Sequence, residues 1–222
     1  MHIAYDILLF MVIYRPNHYN AIGALYQYMV IVLFLTPFYH FFFKIKVEGK
    51  ENIPKDKKTY IIMPNHISNF DPPLVSVVLK IPIAYMAKVE LFKIPILREL
   101  ILSLSAFSVN REKVELSTMK FAKEVLKKGW SVGMFLEGTR SKIPGTLGYP
   151  NIGPAYLALK HKIQILPVGI TGSYKWFQPI TVIIGKPYTP KENLEEARWE
   201  CAKKLSELTG FKTPNKVTKS KS

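Results

Sequence analysis

Two side chains five positions apart, His66 and Asp71 in Asn65-His66-Ile67-Ser68-Asn69-Phe70-Asp71, are well suited to moving a proton. A neutral imidazole takes a proton from an alcohol near pH 7. It does so best when a carboxylate fixes its tautomer and stabilises the imidazolium that forms. The segment directly follows a short apolar run, so a tight loop brings the two side chains within reach. Plainer readings remain open. His66 alone is compatible with a turn histidine bonded to backbone. Asp71 precedes Pro72-Pro73, and Asp followed by Pro is a strong helix N-cap signature. Asp71 can serve both roles.

Three further groups carry useful chemistry. Phe107-Ser108-Val109-Asn110-Arg111 is an apolar strand ending in a cation, although a lone Arg there is most often a surface residue. Phe135-Leu136-Glu137-Gly138-Thr139-Arg140-Ser141 runs from an apolar strand straight into polar residues. Gly138 allows close backbone approach. Thr139 and Ser141 offer hydroxyls, and the planar fork of Arg140 suits phosphate oxygens. Leu166-Pro167-Val168-Gly169-Ile170 is another strand end with small residues, which by itself is as well explained as a sheet edge beside a turn.

The elements that must position these groups alternate along the chain. Strands are expected at Lys44–Glu48, Thr59–Met63, Ile83–Ala87, Ala106–Asn110, Val132–Leu136, Gln164–Ile170 and Thr181–Gly185. Helices are expected from Asp71 to about Leu79, over Glu90–Leu104 with Pro95 early, and at Val114–Lys128, Gly153–His161 and Leu194–Leu208. Glu137–Ile152 reads as a Gly/Pro-rich loop. Strands alternating with helices predict an α/β domain with a mixed, partly parallel sheet flanked by helices. Ligand sites in such sheets form where strands end and loops begin, which is where the groups above fall. The basic stretch Lys212–Ser222 reads as a flexible tail.

Before this domain, residues 21–43 (AIGALYQYMVIVLFLTPFYHFFF) carry no charge. As a helix they extend about 34 Å, enough for a ~30 Å hydrocarbon core. Gln27, His40 and Pro37 interrupt the pattern, and Tyr26, Tyr28, Tyr39 and Phe41–Phe43 suit a membrane interface. A shorter apolar stretch, Ile7–Ile13, precedes it across Arg15-Pro16-Asn17. A helix pair lying in one leaflet is expected, ahead of a single span or a buried hairpin. The absence of a basic leading region and of a small-residue cleavage site speaks against a cleaved signal. The chain divides into a membrane-associating element at 1–43, an α/β domain at 44–211 and a tail at 212–222.

Composition agrees. The 222 residues are 48% hydrophobic, carry a formal charge of +15 and contain one cysteine, Cys201. Disorder as a whole and a disulfide scaffold are excluded. Apolar runs beyond position 45 are short, which argues against a polytopic transporter. Lys44, Lys46, Lys50, Lys55, Lys57 and Lys58 directly follow the apolar segment. They place that side in the cytoplasm and attract anionic headgroups. The charge alone also fits solubility or nucleic-acid binding, but no nucleic-acid motif accompanies it. His2, His18, His40 and His161 lack metal-ligand spacing with Cys or carboxylates, so no metal is expected.

Taken in order, the four groups resemble the glycerophospholipid acyltransferase family, the PlsC-like 1-acylglycerol-3-phosphate acyltransferases. Asn65, His66 and Asp71 match Asn-His-x-x-x-x-Asp. Phe107–Arg111 matches an apolar strand ending in Arg. Phe135–Ser141 matches Phe-Pro-Glu-Gly-Thr-Arg-Ser with Leu136 where Pro is usual, which leaves the turn before Glu137 open. Leu166–Ile170 matches Val-Pro-Val-x-Ile with Leu for the first Val. Lys88, Glu90, Leu91 and Pro95 resemble the segment between the first two blocks. The resemblance covers roughly residues 45–190. It implies a single acyltransferase domain at the inner leaflet of the cytoplasmic membrane. It implies acyl transfer from acyl-CoA or acyl-carrier protein, as co-substrate and without a cofactor, to 1-acylglycerol-3-phosphate.

On that resemblance, His66 and Asp71 are the catalytic residues. Asn65, Arg111, Glu137, Gly138, Thr139, Arg140 and Ser141 surround the substrate. Arg111 and Arg140 are candidates for the acceptor's phosphate, or for the CoA phosphates. Glu137, acidic beside that anion, is expected to meet a glycerol hydroxyl or to hold an Arg. No enzyme nucleophile is required, since there is no Gly-x-Ser-x-Gly elbow and Cys201 lies in a C-terminal helix. Another lysophospholipid, glycerol-3-phosphate or an aminolipid remains an alternative acceptor. A basic membrane-binding module without catalysis is a distant rival. Deleting residues 1–43 is expected to leave a soluble, folded protein inactive on membrane substrate.

Overall fold

Short apolar strands linked by helices assemble into one sheet in a computed structural model that describes residues 18–56, 58–109, 116–141 and 143–215. The strands are β1 (Lys44–Glu48), β2 (Ile61–Pro64), β3 (Ile83–Lys88), β4 (Phe107–Val109), β5 (Ser131–Gly133), β6 (Ile165–Gly172) and β7 (Pro179–Ile184). Their spatial order is β1-β7-β6-β2-β5-β3-β4. Every neighbouring pair is parallel except the β6–β7 hairpin. The sheet is therefore mixed and mostly parallel, as the alternation of elements predicts. Central β2 is buried along its whole length, and β6 is buried from Ile165 to Ile170. Continuous apolar runs of this kind mark strands covered on both faces. Edge strand β1 instead turns Lys44, Lys46 and Glu48 outward, which blunts the open edge.

Among the described residues five α-helices follow the apolar N-terminal one: α2 (Asp71–Leu79), α3 (Pro95–Ser103), α4 (Leu116–Lys127), α5 (Gly153–His161) and α6 (Leu194–Thr209). One core cluster gathers Trp130, Ala155, Leu157, Ala197 and Leu205. A second gathers Leu74, Val75, Ile62, Leu166 and Val182. The expected helix over Glu90–Leu104 is broken. A 3₁₀ turn covers Val89–Lys93, and Ile94 is extended before α3 begins at Pro95. The pyrrolidine ring disfavours the helical region for the residue before it, so the helix restarts at the proline.

The apolar segment forms one helix, α1 (Ala21–Phe42), long and apolar enough to cross a membrane. Asn20 caps it by accepting from the N–H of Gly23. Pro37 does not end the helix. Ile31–Leu35 widens into a π turn in which Thr36 bonds the Ile31 carbonyl through both its N–H and its Oγ1. The wider turn absorbs the ring that would otherwise clash with the preceding turn.

Only 17% of the helix's most apolar stretch is buried, yet the buried part is specific. Ile31, Tyr39 and Phe43 enter the second core cluster. Gln27 is buried, donates to the Ile83 and Leu104 carbonyls at 2.7 and 2.9 Å, and accepts from the Ile83 N–H at 3.1 Å. α1 is thus also a core element. Its removal would strip cover from Leu74 and Val75 and orphan backbone groups of β3, contrary to the expectation that residues 1–43 can be deleted without loss of folding. The Ile7–Ile13 stretch lies outside the described residues. At the other end, Lys212 pairs by backbone with Gly145 and Leu147, so the start of the basic tail is pinned to the domain.

Candidate active site

Three adjacent strands, β6, β2 and β5, run parallel and release their loops at the same end of the sheet. The loop after β2 carries His66, the loop after β5 carries Glu137, and the turn after β6 carries Tyr174. Strand ends of this kind form the crevice in which open α/β sheets bind ligands.

His66 Nδ1 lies 2.8 Å from Asp71 Oδ2. The same oxygen accepts from the N–H groups of Ile67 and Ser68, each at 2.7 Å. Asp71 Oδ1 accepts from the Tyr174 hydroxyl at 2.7 Å. All these partners donate to the carboxylate, so Nδ1 carries the imidazole proton and Nε2 presents its lone pair. Asp71 is fully buried, whereas the His66 side chain keeps 13% exposure. Phe135 stacks on the imidazole with ring centroids 4.1 Å apart. The ring is thus held by the carboxylate at one edge and by an aromatic face across its plane.

Asp71 is the first residue of α2, yet it does not cap the helix. Phe70 occupies the cap position and makes no side-chain cap bond. The carboxylate turns back over the 66–68 loop, where it closes the tight turn that brings His66 alongside.

The loop after β5 packs beneath His66. The Ser141 N–H donates to the His66 carbonyl at 2.9 Å, and Ser141 Oγ donates to the Thr146 carbonyl at 2.6 Å. Gly138 adopts a φ of +65°, where an L side chain would be strained. Glu137 is buried, with 7% exposure, and neither carboxyl oxygen completes a hydrogen bond. Burial pushes its pKa up to about 8. The backbone N–H groups of His66 and Gly148 oppose that shift, and the Asp71 charge adds to it. The shift favours the protonated carboxyl over the carboxylate near neutral pH.

The other expected site residues separate by placement. Thr139 and Arg140 are exposed on the same loop. Asn65 is fully buried. Its amide donates to the Ile170 carbonyl at 2.9 Å and accepts from the Ile170 N–H at 2.6 Å, which ties the end of β2 to β6. It presents no surface to a ligand. Arg111 lies outside the described residues. Tyr174 and Phe135 also contact the dyad, and no local sequence signal points to Tyr174, which is 103 residues from Asp71 and is brought near by the sheet order. Among the described residues no group of three His, Cys, Asp or Glu side chains is placed to hold a metal ion.

A family model described as Acyltransferase matches residues 44–171. The chain belongs to the Acyltransferase family. It is 35% identical over 136 residues to 1-acyl-sn-glycerol-3-phosphate acyltransferase of Borreliella burgdorferi, covering 60% of this chain and 54% of that one. It is 37% identical over 129 residues to the enzyme of the same name from Bacillus subtilis, covering 58% and 63%. The chain spans about half the length of the first curated relatives it matches. The crystal structure of the 1-acyl-sn-glycerophosphate acyltransferase PlsC from Thermotoga maritima superposes with a TM-score of 0.65 at 25% identity, covering 93% of this chain and 95% of that chain.

The acyltransferase sequence pattern also has a structural answer at position 136. Leu136 is buried, and its N–H donates to the Pro64 carbonyl at 3.0 Å. Proline, usual there in the resembled motif, has no N–H to give. The departure extends the bonding between β2 and the β5 loop and leaves the turn at Glu137 intact, with Gly138 N–H bonded to the Phe135 carbonyl at 3.1 Å.

Proposed function

We propose that the protein transfers a fatty acyl group from a thioester, acyl-CoA or acyl-carrier protein, to the free hydroxyl of 1-acylglycerol-3-phosphate, giving phosphatidic acid. The observation that carries this reading is the His66–Asp71 pair, with Nδ1 fixed as donor and Nε2 left to accept. The names of the bacterial relatives support the choice of acceptor.

The chemistry follows from the pair. Nε2 takes the proton of the acceptor hydroxyl as its oxygen attacks the thioester carbonyl. Asp71 stabilises the imidazolium that forms. The tetrahedral oxyanion collapses, the C–S bond breaks, and the leaving thiolate takes the proton back from His66. An ester and a free thiol result, and His66 returns to its starting state. A general base of this kind contributes about 10²–10⁴-fold, and the remainder comes from positioning. In this reading Arg140, and Arg111 with it, meet the acceptor's phosphate. Protonated Glu137 sits beside that anion without repelling it. α1 and the lysines that follow it hold the domain on the cytoplasmic face of a membrane, where the acceptor arrives laterally.

The test is acyl transfer by the detergent-purified protein from a fatty acyl-CoA to lysophosphatidic acid, beside His66→Ala. Phosphatidic acid from wild type, reduced at least about 10²-fold in a folded variant, is the expected result. Equal product from both would remove His66 as the base. No product from wild type, with product from glycerol-3-phosphate or another lysophospholipid, would overturn the acceptor.

A further inference from the structure

The β6–β7 turn carries two large aromatic side chains outside the protein. Trp176 is 60% exposed and Phe177 is 57% exposed. They follow Tyr174 across the single residue Lys175. Gly172, with a φ of +102°, leads the chain into the turn, where an added Cβ would meet the Pro179 carbonyl. Phe177 itself has a φ of +61°. A bulky residue in the left-handed region is strained and persists only when its surroundings hold it there. They do hold it, because the Phe177 N–H donates to the Phe42 carbonyl at 2.8 Å.

The partner in that bond is the last residue of α1. Trp176 packs edge-on against Phe42 with centroids 4.4 Å apart and stacks on Phe43 at 6.4 Å. The turn therefore continues the exposed apolar surface of α1, on which Phe34 and Phe41 are 69% and 70% exposed. Cations flank the patch. Lys175 within the turn is exposed, and Lys44, bonded by backbone to Gln178, faces outward on β1. Exposed aromatic rings beside lysines, at the end of a helix long enough to span, match the chemistry of the headgroup layer. Trp and Tyr partition there and basic side chains meet anionic lipid.

We propose that the Ser173–Gln178 turn is a second lipid-contacting element, with Trp176 and Phe177 seated in the headgroup boundary of a bilayer containing anionic phospholipid and Lys44 and Lys175 against its phosphates. The proposal rests on the reading of the chain as a protein that works at a membrane. It adds a specific consequence. The same turn holds Tyr174 against Asp71, so the lipid contact and the His66 site share one short segment.

The experiment uses the full chain in vesicles of phosphatidylcholine, with and without phosphatidylglycerol, whose acyl chains are brominated to quench tryptophan. Trp130 is buried in the other core cluster, and Trp199 packs against that same cluster. Wild type is expected to be quenched, more strongly with phosphatidylglycerol present. Trp176→Phe is expected to lose most of the quenching while still floating with the vesicles. The Lys44→Gln/Lys175→Gln variant is expected to reduce quenching on anionic vesicles to the level seen on neutral ones. Equal quenching in wild type and Trp176→Phe overturns the proposal. So does protection of Trp176 by self-association in vesicle-free detergent, which would make a second copy the occupant. Quenching as expected in a protein that shows no acyl transfer would overturn the enzymatic reading and leave this surface standing.

Discussion

The Tyr174 hydroxyl donates to Asp71 Oδ1 across 2.7 Å, although the two residues are 103 positions apart. Burial first, and then the Asp71 charge, pushes the tyrosine's pKa up, so it keeps its proton and remains a donor. The carboxylate is thereby held on both oxygens, by Tyr174 on one and by His66 and two backbone amides on the other.

Removing that donor should be felt at His66. In Tyr174→Phe, Asp71 Oδ1 loses the hydroxyl that holds it, so the carboxylate that orients the imidazole is held less firmly. kcat should fall by about 10–10²-fold, the worth of one charge-assisted bond, with KM little changed. An unchanged kcat would reduce Tyr174 to a packing residue.

Glu137 makes stability depend on pH in a defined direction. Its pKa in the folded protein is about 8, against an ordinary value near 4.3 in an unfolded chain. Below the lower value both states hold the proton. Between the two values the unfolded chain releases it and the folded chain does not, so stability falls as pH rises through this window. Glu137→Gln carries no such proton. It should match wild type near pH 4 and exceed it by about 3–5 kcal/mol near pH 8. Denaturant melts of both proteins across pH measure this, and parallel curves would sink it.

Gln27 is expected to anchor α1 to the domain. Gln27→Leu leaves the Ile83 N–H and the Ile83 and Leu104 carbonyls without their partner. Orphaned buried groups cost about 1–3 kcal/mol each. The loss should appear as a lower denaturation midpoint and faster proteolysis between α1 and β1. Wild-type behaviour in both would mean that these groups find other partners.

Much of this protein is decided by local sequence. Alternating Lys44–Glu48 is an edge strand because its outward residues are charged, and α5 spans Gly153–His161 as expected. His66 and Asp71 meet because five residues span one tight loop, a distance the sequence itself limits. Gly138 marks its turn because few other residues adopt that backbone. What the sequence left open needed contacts between distant segments. Asn65 looked like a ligand-facing residue and is a clamp on Ile170, because β6 happens to lie beside β2. Gln27 looked like a flaw in a membrane helix and is a buried bond to β3. Glu137 looked like an ordinary carboxylate, and its pKa is pushed up because only the folded loop removes its water. Periodicity and spacing act over a few residues and fix elements. The order of strands in the sheet, which no local pattern encodes, fixes which side chains share a site and what charge they carry there.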